Sequence, residues 1–125
     1  VINIAGDGCF RMNMNEIATA TRYNIPVIEL IINNHVLGMV RQWQNLFYGK
    51  RYSHTVLNDA VDFVKLAEAY GAEGYRISKP EELEDVLRKA LTSPNPAFID
   101  VMVEREENVY PMVPAGAALD EMLLV

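Results

Sequence analysis

Two short apolar runs, Val1 to Ala5 and Val27 to Ile32, are each stopped by turn formers, Gly6-Asp7-Gly8 after the first and Asn33-Asn34 after the second. Between them Met14, Ile17, Ala18 and Thr21 recur at helical spacing over 13–23, and Asn24 and Pro26 close that segment. The second run is β-branched and suits a buried strand of a parallel sheet. A strand–helix–strand crossover returns the chain to the same end of the sheet. If the two strands are neighbours, both turns open on one crevice beyond the carboxyl ends of the strands, the usual ligand position in open α/β sheets.

The alternation continues downstream. Val36, Met39, Val40, Trp43 and Phe47 fall on one helical stripe, and 48–58 reads as a loop. Asp62 is placed to cap a helix over 63–70, with Gly71 just past its end. A strand is expected over 74–77. Pro80 then opens a helix with acidic residues early and Arg88 and Lys89 late, which matches the helix dipole. Ala97 to Val103 reads as a strand, 111–116 as loop, and 117–124 as a closing helix.

This pattern predicts an α/β fold in three layers, a parallel sheet with helices on both faces. Four strands are few for such a sheet, and the first begins without a methionine. The expectation is a fold incomplete at its N-terminus: residues 1–125 as the C-terminal part of a larger domain in a longer chain, with 104–125 as a tail.

Lys and Arg number 11 against 17 Asp and Glu, a net charge of −6. That balance argues against nucleic acid or an anionic membrane as partner. No window approaches the roughly 18 apolar residues of a membrane span; the run from Val27 to Ile32 is interrupted by Glu29. The single cysteine, Cys9, permits no intramolecular disulfide, in keeping with a reducing interior.

Asp7 and Asn34 carry the chemistry. A carboxylate and an amide carbonyl are hard oxygen donors suited to Mg²⁺, which fills the rest of its shell with phosphate oxygens and water. Gly8 lets backbone approach closely, and the amides that follow can meet an anion. The set reads as a metal-bridged diphosphate site. A dinucleotide fingerprint would need glycine where Arg11 stands. Spacing alone leaves open that Gly-Asp-Gly is only a turn and Asn-Asn only a strand end.

The pair Gly6-Asp7-Gly8 and Asn33-Asn34 matches the signature of thiamine diphosphate enzymes. The run from Leu37 to Gln44, then Leu46-Phe47-Tyr48, Arg51 to Thr55, Pro111 to Pro114 and Leu119 to Met122, resembles acetohydroxyacid (acetolactate) synthase catalytic subunits over essentially the whole chain. The resemblance implies Mg²⁺ bound by Asp7, the Asn34 side chain and the Val36 carbonyl. It implies the diphosphate against Gly6, Gly8, Cys9 and the backbone of Val36, Leu37 and Gly38, and Met39 towards the cofactor rings. Trp43 would line the pocket for the second 2-keto acid, and the tail would help cover the site.

It further implies a transferase that joins a two-carbon unit from pyruvate to pyruvate or 2-ketobutyrate, in branched-chain amino-acid biosynthesis. FAD would be carried by the full-length enzyme and not by this segment. The activating glutamate would come from another domain across a subunit interface, so no catalytic residue is expected here. The assembly would be a homodimer or tetramer with a possible small regulatory subunit. It would reside in the cytoplasm of a bacterium, or in a plastid or mitochondrion of a eukaryote. Two alternatives stand beside it: a sister keto-acid decarboxylase or oxidase, and an inactive cofactor-binding or structural module when this segment is isolated.

Several positions depart from that pattern or carry no assigned role. Cys9 stands where Ser or Ala is common, and with an Asp nearby nothing suggests a reactive thiolate. Glu29 interrupts an apolar strand, so an edge position, solvent access or a cationic partner is expected. His35 has no assigned role and His54 is read as structural. Arg41 and Arg51 are expected to be solvated, and Glu104 to Glu107 to lie on the surface.

Overall fold

A computed structural model describes residues 1–57 and 61–124. Four strands form one parallel sheet among the described residues: β1 (Ile2–Gly6), β2 (Ile28–Asn33), β3 (Glu73–Ile77) and β4 (Ala97–Met102), in the order β1-β2-β4-β3. The expected neighbours are neighbours: β1 pairs with β2 in the register Asn3↔Glu29 and Gly6↔Ile32. The central strands are the ones rich in β-branched and apolar residues, and Ala97, Ile99 and Ile31 are fully buried there.

Both faces carry helices, as the alternation predicts. On one face Ile28, Ala97, Ile99 and Ile77 pack with Ala90, Val86 and Leu87 of α5 (Leu83–Thr92). On the other, Phe98 packs with Ile17 of α2 (Ile17–Arg22), Ala67 and Leu66 of α4 (Phe63–Ala69), and Phe10. Asp62 caps α4 as expected, its Oδ1 accepting from Val64 N at 3.1 Å and Lys65 N at 3.3 Å. Gly71 follows α4 at φ +81°, a conformation that favours glycine.

Four local expectations change. The helix expected over 13–23 is shorter and begins with a 3₁₀ turn, Met14–Glu16, leading into α2. Asn13 precedes that turn without a side-chain cap bond. The turn after β1 is itself helical, α1 (Asp7–Phe10). The closing helix over 117–124 does not form; a 3₁₀ turn, Leu119–Glu121, is followed by an antiparallel bridge between Met112 and Leu123. A tail tied back by its own backbone bonds, Met112 N to Leu123 O at 2.9 Å and the reciprocal bond at 2.7 Å, has no need of a helix.

Glu29 is the fourth. It is 7 % exposed on a central strand and has no cationic partner among the described residues. Its partner is neutral: Asn3 Nδ2, directly across from it on β1, donates to Oε1 at 3.0 Å and Oε2 at 2.8 Å. Burial pushes the Glu29 carboxyl above its usual range, and the Asn3 bonds only partly offset this. Residue 58, where the predicted loop ends, and residue 125, the end of the predicted tail, lie outside the described residues.

Candidate cofactor site

One cleft of about 540 Å³ opens where β1 and β2 end. The carboxyl end of β1 delivers Gly6, and the chain turns at once into α1, whose first residue is Asp7. The carboxyl end of β2 delivers Asn33, then Asn34, and His35 takes the left-handed conformation at φ +60° before α3 (Gly38–Phe47) begins. Gly6, Asp7, Gly8, Cys9, Asn34, Val36, Leu37, Gly38 and Met39 all line this cleft. All nine residues singled out for cofactor or metal contact are thus in one place, although 24 residues separate the two motifs.

Asp7 is the most informative of them. It is 2 % exposed, and its Oδ2 is buried with no hydrogen-bond partner. Burial raises its carboxyl above the ordinary range, while the Gly8 backbone amide, Arg11 and His35 pull the other way. A buried carboxylate oxygen without a donor is costly, and native structures rarely leave one without cause. Asn34 Oδ1 accepts from Val36 N at 3.1 Å, closing a tight turn and keeping a second lone pair. A Cβ on Gly8 would lie 2.8 Å from Leu37 Cδ2, and one on Gly38 3.2 Å from Asn34 Nδ2, so both glycines admit the close approach of two chain segments.

The donor set is hard oxygen throughout: one carboxylate, one amide carbonyl and the backbone of a short loop. These donors fit Mg²⁺, which takes one or two carboxylates and shares the rest of its octahedron with phosphate and water. No group of three or more His, Cys, Asp or Glu side chains gathers among the described residues.

Trp43 lines a second, more apolar groove of about 690 Å³ with Met39, Val40, Gln44, Tyr48 and Arg51. Met39 and Val40 line both the groove and the cleft, so the two are contiguous. Trp43 meets Phe47 edge-on at 5.7 Å between centroids.

Part of the cleft comes from residues not singled out individually in the sequence, although the tail was expected to help cover the site. Met12, Ile32, Gln42, Glu107 and Val109 also line it. Glu107 and Val109 belong to the tail, and Glu107 is exposed as expected of the 104–107 stretch while also facing the cleft. Gln42 is buried in the middle of α3 and grips the tail backbone; it lies off the apolar stripe, on the face turned to the tail, so its role depends on a partner 67 positions away. Arg41, expected to be solvated, instead pairs with Glu106 and stacks 3.9 Å over the Tyr52 ring.

Residues 1–101 match the family model described as thiamine pyrophosphate enzyme, C-terminal TPP binding domain. The chain belongs to that family. It is 48 % identical over 125 residues to the acetolactate synthase large subunit of Haemophilus influenzae, covering 99 % of this chain and 22 % of that one. Against acetolactate synthase isozyme 3 large subunit of Escherichia coli the identity is 45 % over 127 residues, with 99 % and 22 % covered. Against the mitochondrial acetolactate synthase of Schizosaccharomyces pombe it is 47 % over 124 residues, with 99 % and 18 % covered. The fold also superposes on the thiamine diphosphate-dependent 4-hydroxybenzoylformate decarboxylase of Rhodococcus jostii RHA1, with a TM-score of 0.79 and 29 % identity, over 86 % of this chain and 20 % of that one. The chain thus spans about a fifth of the length of these relatives. Among the described residues no helix is long and apolar enough to cross a membrane.

Proposed function

We propose that this thiamine diphosphate-binding segment belongs to an acetolactate synthase large subunit and anchors the cofactor's diphosphate through Mg²⁺. The observation that carries the reading is the buried, partnerless Oδ2 of Asp7 in a cleft shared with Asn34, in a chain 45–48 % identical to acetolactate synthase large subunits. Asp7, the Asn34 side chain and the Val36 carbonyl would hold the metal. The amides following Gly6 would face the diphosphate. Thiamine diphosphate, when bound, supplies the carbon–carbon chemistry, while the protein binds and orients.

This chain's residues fix one end of the cofactor and shape the adjacent groove. Trp43, with Met39 and Tyr48 beside it, would receive the second 2-keto acid, pyruvate or 2-ketobutyrate. The tail residues Glu107 and Val109 cover part of the cleft and help exclude water from it. The activating glutamate, FAD, the homodimeric or tetrameric assembly and any small regulatory subunit belong to the longer polypeptide in this reading. Its compartment would be the cytoplasm of a bacterium or an organelle of a eukaryote.

The structural likeness to a decarboxylase supports a second reading, in which the same cleft serves a keto-acid decarboxylase. A product assay on the full-length protein separates the two. Pyruvate should give acetolactate; free acetaldehyde in its place would favour the decarboxylase.

A further inference from the structure

A relay of polar side chains runs across the sheet to the back of the Asn34 loop. Asp62, the cap of α4, accepts from Arg76 Nη2 at 2.7 Å. Arg76 Nε donates to Asp100 Oδ2 at 3.1 Å. Asp100 is 2 % exposed, and its other oxygen accepts from Asn33 Nδ2 at 2.8 Å. Asn33, also 2 % exposed, uses its remaining atom, Oδ1, to accept from His35 N at 3.2 Å. Both ends of the Asn33 amide are therefore spent, one on the sheet and one on the loop.

The bond to His35 N matters because His35 is the residue at φ +60°, a conformation that costs a non-glycine residue about 1–2 kcal/mol. That conformation turns the chain so that Asn34 and Val36 both face the cleft with Asp7. Buried and paired, Asp100 cannot move without leaving a charge unsatisfied, so the relay is stiff.

We propose that Asn33 is a positioning residue for the Mg²⁺ site: held by Asp100, Arg76 and Asp62, it fixes the turn at His35 that presents Asn34 and Val36. Asn33 touches neither the metal nor the diphosphate in this arrangement. The inference rests on the Mg²⁺–diphosphate reading above. It goes beyond it by assigning the geometry of the metal loop to residues on β3, β4 and α4.

The test is Mg²⁺ titration by calorimetry, at saturating thiamine diphosphate, on the full-length protein that carries this chain. Asn33→Asp keeps the acceptor for His35 but sets two carboxylates against each other across 33 and 100. Charge alone would make this variant bind Mg²⁺ more tightly, because it adds a negative group near the site. Loss of positioning predicts the opposite, a Kd raised about 10–100-fold, the range seen when outer-shell partners are removed.

The double variant Asn33→Asp, Asp100→Asn reverses donor and acceptor and restores the bond, so its Kd should return to within about threefold of wild type. Tighter or unchanged binding in Asn33→Asp, or a folded double variant that stays weak, overturns the proposal. If Asn33→Asp does not fold, Arg76→Gln takes its place; it should weaken Mg²⁺ by at least about threefold, and a wild-type Kd there overturns the proposal equally. Asp7→Ala is the control on the underlying reading. If it binds Mg²⁺ and cofactor as wild type does, the site itself is misassigned and the inference falls with it. If only Asp7→Ala is weak, the site stands and the relay does not.

Discussion

Gln42 holds Val109 by both ends of its amide: Val109 N donates to Oε1 at 2.9 Å, and Nε2 donates to Val109 O at 3.0 Å. A buried glutamine in the middle of α3 thus ties the tail to the helix whose Met39 and Val40 line both the cleft and the Trp43 groove. Replacing it by Ala removes two side-chain-to-backbone bonds worth about 0.5–1.5 kcal/mol each. The tail should then open more often. Limited proteolysis of Gln42→Ala should cut within 104–116 about tenfold faster than wild type when cleavage tracks the open population. Equal cleavage rates would mean the clasp does not hold the tail.

Gly74 and Gly8 are both crowded, but by different neighbours. A Cβ on Gly74 would lie 2.7 Å from the backbone oxygen of Val64 and 3.0 Å from its Cα, where α4 packs on β3. Backbone cannot step aside cheaply, so Gly74→Ala should cost about 1–3 kcal/mol of stability, read by denaturant unfolding. A Cβ on Gly8 meets only the tips of Leu37 and Leu57. Gly8→Ala should leave unfolding within about 0.5 kcal/mol of wild type while narrowing the cleft and weakening cofactor binding. A larger stability loss at 8 than at 74 would contradict this ordering.

Glu29 makes a pH prediction whose sign follows from burial. Its folded-state carboxyl is raised above the ordinary 4.5, burial being the larger cause and the Asn3 bonds opposing it. Between the unfolded and folded values the folded chain holds a proton that the unfolded chain has lost. Stability therefore falls as pH rises through that window, and the loss persists at neutral pH. Glu29→Gln keeps an acceptor for Asn3 and removes the charge. It should melt higher than wild type at pH 7, and the gap should close as pH drops below 4.5. A gap that widens on acidification would show that the carboxylate is stabilised rather than strained.

The legible parts of this molecule were those written in local pattern. The strand–helix–strand spacing between Gly6 and Asn34 placed both motifs at one end of a parallel sheet, because crossover handedness leaves few alternatives. Asp62 and Gly71 were readable as cap and terminator because those roles depend on a few neighbouring residues. What escaped depends on distant pairings. Glu29 was expected at an edge, near solvent or beside a cation because its actual partner, Asn3, is neutral and 26 positions away. Arg41 looked solvated because Glu106 lies 65 positions downstream. The closing helix failed because Met112 and Leu123 bond each other's backbone, a tertiary preference that overrides local propensity. Asn33 read as a strand end, and only the register of β2 on β4 reveals what its amide does.

The central claim is that Asp7 and Asn34 jointly hold Mg²⁺ against the cofactor's diphosphate. The most direct measurement is calorimetric binding of thiamine diphosphate to the full-length protein, with and without Mg²⁺, in wild type and Asp7→Ala. Mg²⁺-dependent binding is expected in wild type, with a loss of about 100-fold or more in Asp7→Ala, beyond the roughly 10–100-fold loss that follows removal of a residue that only supports a metal ligand. Wild-type affinity in Asp7→Ala, or binding in wild type indifferent to Mg²⁺, would contradict the claim.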